Sequence, residues 1–455
     1  MIADFACLRI FMLALSLSFF LAASFATVGW ADLVVELDAI QESVKNQQRY
    51  RQAQELILSG KLSAASDLLE DIVSEVKDLP HSQLLLAQVL LDNGAAQEAQ
   101  RVLEILSSRS EDQFEAAWTF CKLAVQQGRW FDGWTHAVRA EAIEMPSRWS
   151  SEYRAIVVRQ LALLKGRCCE GRTDWAGAIA AYDSVVTGDK KKQDEIQAES
   201  IQALAGLGRA EFYLEHTTQA VEWFEQLRQA EPSADPPELM VASLFEVQGD
   251  QDATEHWFRL AIALPAPDGA IARLRFAKWL IWNNRPDEAS PLLENSLAKS
   301  ESENERLYLT ALIARMRHQY TEAQDLLSRL HQQHATDFNV SNQLALVLIE
   351  SNEEANRGRA LQIAEANVRN HRNQKEAWST LGWIHLRLGD VAKAQETLAL
   401  AARSRSISRD TAYFIAKLKE ATGDSASAAK FHKAATQASG PNYYGSNPIE
   451  SANEE

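Results

Sequence analysis

The chain has 455 residues and a formal charge of −16, from 46 Lys and Arg against 62 Asp and Glu. A surface that acidic repels a phosphate backbone and argues against nucleic acid as a partner. Apolar content of 46 % supplies a core, 11 prolines fit a mostly helical chain, and four cysteines (Cys7, Cys121, Cys168, Cys169) make no disulfide framework.

Residues 1–31 come first. Arg9 and the α-amino group outweigh Asp4, and an apolar run follows from Ile10 to Val28. Small-x-small sites stand at Ser24-Phe25-Ala26 and Gly29-Trp30-Ala31. This is the layout of a secretory signal peptide, with cleavage expected after Ala31. The same run, residues 10–28, is long enough to stay as a membrane anchor. Either reading puts the remainder outside the cytoplasm, as a periplasmic protein or tethered to the membrane with its repeats exported.

From residue 32 to 438 no strand pattern is expected. Amphipathic stretches at helical period alternate with short breaks at Gly60, Gly94, Gly128, Gly249, Gly389 and Gly423, residues able to end a helix in the left-handed conformation. The stretches repeat. Units begin at Asn46, Pro80, Phe114, Arg159, Ile201, Asp235, Ala270, Asn304, Phe338, Lys375 and Arg409, mostly 34 residues apart. The eighth place of every unit is small (Ala53, Ala87, Cys121, Gly166, Gly208, Ala242, Ala277, Ala311, Ala345, Gly382, Ala416). The twentieth is nearly always Ala, with Gly133 and Thr254 as exceptions, and the twenty-fourth is mostly bulky, as at Leu69, Tyr182, Phe224 and Leu398. Small residues allow two helices to cross closely, and such pairs must stack to bury their faces. The expected fold is an all-α solenoid of about eleven helix-turn-helix units, whose right-handed coil is what the family resemblance given below implies.

Two segments break the rhythm. Glu144–Arg159 lengthens the third unit and Thr187–Ser200 the fourth, each read as an extended helix or a protruding loop. The tail, residues 439–455, is polar and contains Pro and Gly, so it is expected to be disordered.

Trp378, Leu381, Gly382, Gly389, Ala394, Leu398 and Ala401 occupy seven places of a pattern resembling the tetratricopeptide repeat, and Ile201–Pro232 matches it again. The resemblance implies that the first helix of each pair lines a concave surface through its second, fifth, ninth, twelfth and thirteenth places. Those places hold Arg209, Phe212 and Tyr213 in unit five, and Lys278 and Trp282 in unit seven. Units eight to eleven add Tyr308, Arg315, Met316, Asn342, Trp383, Arg387, Tyr413 and Lys417. Trp, Tyr and Arg anchor interfaces more often than other types. None of the eleven fifth places is cationic, so a clamp for a terminal carboxylate is not expected.

Other chemistry is weaker. Gly206-Leu207-Gly208 lacks the third glycine and the preceding strand of a dinucleotide loop. Cys121 and Cys169 read as small buried hydrophobes. His331 and His334 share a helix face but lack a third metal ligand, and Lys190-Lys191-Lys192 reads as an exposed loop. No catalytic constellation, cofactor site or metal site is expected. The sequence reads as a non-catalytic scaffold binding a protein or peptide in its groove. The alternatives are a membrane-anchored assembly factor for an envelope or secretion complex and the regulatory arm of an enzyme.

Overall fold

A computed structural model describes residues 44–75, 79, 81–92, 95–107, 113–147, 149–188, 198–294, 300–403 and 407–444. The leader, the lysine run and the tail beyond residue 444 lie outside the described residues. Those described form α-helices and connections, without a strand among them. They divide into two compact units, the first running to Trp257 and the second starting at Phe258.

The first unit contains α1 (Val44–Leu58), α2 (Leu62–Glu75), α3 (Ser82–Asp92), α4 (Ala96–Ser107), α5 (Gln113–Gln126) and α6 (Trp130–Glu141). It continues with α7 (Ser151–Gly171), α8 (Trp175–Gly188), α9 (Ala198–Tyr213), α10 (Thr217–Ala230) and α11 (Pro237–Gln248), and ends inside α12 (Gln251–Ala261). The second holds α13 (Asp268–Trp282), α14 (Pro286–Glu294), α15 (Ser300–Met316), α16 (Tyr320–Gln333) and α17 (Phe338–Leu348). After these come α18 (Glu354–Asn370), α19 (Lys375–Arg387), α20 (Val391–Ala401), α21 (Arg409–Ala421) and α22 (Ser425–Gln437). Odd-numbered helices are the first members of the eleven pairs. Within each unit the fold is an all-α solenoid of tetratricopeptide type.

The repeat columns explain how the pairs close. Every eighth-place residue is buried, and so is every twentieth. The small eighth place faces the bulky twenty-fourth of its own unit: a Cβ on Gly382 would lie 2.6 Å from Leu398 Cγ, and one on Gly208 2.6 Å from Phe224 Cδ1. Tyr182 sits between Gly166 and Gly206, both of which would clash with its ring if they carried a side chain. The glycines are therefore space for a neighbour's ring.

The turn inside each pair is also columnar. The fifteenth place has positive φ at Gly60, Gly128, Gly249, Gly389 and Gly423, and equally at Thr173, Glu215, Asn284 and His318. Gly94 lies outside the described residues.

The Glu144–Arg159 insertion resolves as a longer helix with a plug. Helix α7 spans 21 residues and is capped by Ser150, whose Oγ accepts from the Tyr153 amide at 3.1 Å. Just before the cap, Trp149 is buried edge-on against Phe114 at 5.7 Å, Trp118 at 6.2 Å and Tyr153 at 4.8 Å. Most of the Thr187–Ser200 insertion lies outside the described residues.

Candidate binding groove

In both units the first helices pack on one another: α5 on α7 and α7 on α9 in one, α13 on α15, α17 on α19 and α19 on α21 in the other. Among the described residues, second helices make no comparable contact with each other. Helices that touch their equivalents lie on the inner side of a curve, so the first-helix face is the concave one.

In the first unit Arg209 on α9 reaches Glu170 on α7, with its Nη2 donating at 2.9 Å. Burial opposes the guanidinium charge, but Glu170 more than offsets it and holds Arg209 above its ordinary pKa. Tyr213 is stacked on Trp175 at 4.3 Å, with 13° between the rings, and burial raises its phenol pKa. Phe212 requires a correction. It is buried among Phe245 and Tyr213 and offers nothing to a partner, because the twelfth place here faces the next pair.

In the second unit Trp282 is exposed, 43 %, at the end of α13, with the Lys278 ammonium 6.0 Å from its ring. Arg387 is exposed on α19 and pairs with Glu350 at 3.0 Å. Tyr308 is half-buried, and burial pushes its phenol up to about 12. Trp383 requires a correction: it is 4 % exposed, stacked on Phe414 at 4.6 Å, and donates from Nε1 to Glu350 Oε1 at 3.2 Å. Its ninth place points at the following first helix.

Arg315 is the larger correction. It is 1 % exposed, the bulkiest fully buried side chain described. Its Nη1 donates to Gln343 Oε1, and its Nη2 to Asp410 Oδ2 at 3.4 Å and to the Tyr444 hydroxyl at 2.7 Å. The Tyr443 ring lies 3.8 Å from the guanidinium carbon. Burial opposes the Arg315 charge, but Tyr444 and Asp410 hold its pKa above the usual value, while burial raises the Asp410 carboxyl. The covering residues belong to the segment expected to be disordered. Residues 439–444 instead return across the first helices, and Tyr443 is 5 % exposed.

Cys121, Cys168 and Cys169 are free and buried, Cys168 packing against Gly133. His334 Nε2 lies 2.8 Å from Asn304 Nδ2, whereas His331 lines a cavity of about 350 Å³ with Ser341, Asn367 and His371. Among the described residues, no three His, Cys, Asp or Glu gather as a metal site would need.

This geometry defines a class: an all-helical repeat array in which each unit presents a first-helix face. The tetratricopeptide repeat family profile matches residues 375–406, which span the best unit of the sequence reading. Residues 375–406 are thus a tetratricopeptide repeat, and the other described helix pairs share its fold. No curated protein matches it in sequence. Among solved structures it is similar to a tetratricopeptide repeat protein from Parabacteroides merdae, with 13 % identity, a TM-score of 0.38, and coverage of 57 % of this chain and 98 % of that one. It is also similar to PilW, a type IV pilus biogenesis factor, with 19 % identity, a TM-score of 0.35, and coverage of 45 % and 92 %. A monomeric mutant of IFIT1 with Gppp-AAAA aligns at 16 % identity and a TM-score of 0.40, covering 79 % of this chain and 78 % of that one.

Proposed function

We propose that this tetratricopeptide-type scaffold is non-catalytic and exported, and that it holds a peptide or protein segment against its first-helix face. One observation carries the reading: Trp282, a large aromatic at the end of the first helix α13, is left 43 % exposed, with the Lys278 cation beside it. Aromatic and cationic side chains on a concave surface are the means by which interfaces concentrate their energy. The acidic balance of the whole chain favours a basic partner segment. Export rests on residues 1–31, read as a signal peptide. Retention of residues 10–28 would make the protein a membrane-anchored assembly factor.

The test compares partner capture by the wild-type chain and by Lys278→Ala/Trp282→Ala/Arg387→Ala, with Ile105→Ala on the outer helix α4 as control. Capture should fall with the triple variant and persist with the control. Equal capture by all three would refute the groove. Amino-terminal sequencing and cell fractionation decide export: a mature start at residue 32, or a membrane-bound full chain, supports it, and an intact chain in the cytoplasmic fraction contradicts it.

A further inference from the structure

We propose that the Arg315 cluster is a docking site for a tyrosine-containing extended peptide, occupied in this structure by the chain's own Tyr443-Tyr444. A partner segment with adjacent tyrosines would enter by displacing them. The inference rests on reading the first-helix face as the binding groove.

The contacts are those of peptide recognition. Past the end of α22 the chain leaves helical geometry at Ala438, whose carbonyl accepts from Arg409 Nε at 3.1 Å. Residues 439–444 then run without regular structure over the inner face. Asn284 reads their main chain on both sides of Pro441: its Nδ2 donates to Gly440 O at 3.3 Å and its Oδ1 accepts from the Asn442 amide at 2.6 Å. Asn284 stands at the left-handed fifteenth place, φ 61°, which helps to turn its amide toward the tail. Two aromatic pockets follow. Tyr443 lies under the Arg315 guanidinium. Tyr444 stacks on Tyr413 at 4.9 Å and 9°, meets Trp383 and Phe414 edge-on at 5.6 and 5.3 Å, and accepts from Arg315 through its hydroxyl.

The site is also built to stand open. A guanidinium stripped of water needs partners, and Arg315 keeps Gln343 and Asp410, from α17 and α21, when the tail leaves. The vacated pocket would still hold its cation in place and present the Tyr413, Trp383 and Phe414 rings. A structural cap gains little from a buried cation, since apolar packing of similar volume is often at least as stable. Selectivity follows from the same contacts: the ring faces take any aromatic, and the Arg315 donor rewards a phenol oxygen.

The experiment needs no partner, so it fails or succeeds separately from the capture test above. A fluorescent peptide of residues 439–455 is titrated into the full wild-type chain and into full-length Tyr443→Ala/Tyr444→Ala. Binding to the vacated chain should be at least about tenfold tighter, because self-occupancy taxes the wild type by the fraction of time its site is open. The same peptide with both tyrosines replaced by alanine should bind neither. Equal binding to both chains, or none to either, overturns the proposal. A second form covers misfolding of the variant: a protease site placed after Ala438 lets the chain fold before its tail is cut. Excess tyrosine peptide should then release the cut tail while the transition of the second unit persists. A cut tail that cannot be displaced, or an array that unfolds on cutting, equally overturns it.

Discussion

Replacing Arg315 with Met separates the charge from the bulk at the centre of the second unit. The methionine fills much of the space of the arginine stem but removes the donors to Gln343, Asp410 and Tyr444 and the cation beside Tyr443. Hydrogen bonds involving a charged group contribute about 1.5–3 kcal/mol each, yet contacts sharing one side chain do not add. Asp410 is only partly buried, so water recovers some of the loss. The expected cost is about 3 kcal/mol, near the lower range for breaking a buried pair. Arg315→Met/Asp410→Asn should restore a good part of it, because no unpaired carboxylate then remains. Urea unfolding of the full chain reads both, monitored through the transition of the second unit, since repeat arrays need not melt as one. Hydrogen exchange at Asn442 and Tyr444 should accelerate in both variants. A loss under about 0.5 kcal/mol, or a double variant no more stable than the single, would refute the reasoning from buried charge.

Further outcomes follow from local geometry. Gly208→Ala and Gly382→Ala should each cost about 1–3 kcal/mol by thermal melting, because the new methyl meets Phe224 or Leu398. Gly358→Ala, in the open middle of α18, should instead gain about 0.5–1 kcal/mol from helix propensity. Thr173→Gly should stabilise by up to about 1 kcal/mol, since a β-branched residue at φ 58° is strained more than glycine is entropically penalised. Burial lowers the pKa of His136, His331 and His385 below the ordinary imidazole value of 6.5. The unfolded chain therefore binds more protons than the folded one in that range, so stability rises with pH there. The melting temperature should hold above about pH 6.5 and fall as the pH drops through the lowered folded values, and an unchanged melt at pH 5.5 would contradict it.

The repeat architecture was legible because close helix crossing leaves a sequence mark that tolerates no bulk. Ala53 through Ala416 could be read as a column, and the structure buries every member. The left-handed turn was legible only where glycine occupies it. Thr173, Glu215, Asn284 and His318 adopt the same backbone at a cost of about 1–2 kcal/mol each, which the stack imposes and composition does not reveal. The groove was half legible. Spacing assigns a side chain its azimuth on a helix but not what covers it: Arg387 and Trp282, both at thirteenth places, stay open, while Arg315 and Phe212 at twelfth places and Trp383 at a ninth are buried. The start of the tail, residues 439–444, was misread for a related reason. Its polar composition argued for disorder, and the adjacent tyrosines in Pro441–Tyr444 were the one signal that it had somewhere to bind.

Hydrogen exchange of the full chain, free and with its captured partner, bears most directly on the proposal that the inner face grips another chain. Protection should rise along α13, α15, α19 and α21, around Lys278, Trp282 and Arg387, with the outer helices unchanged. Protection confined to second helices such as α16 and α20, or none on either face, would contradict it.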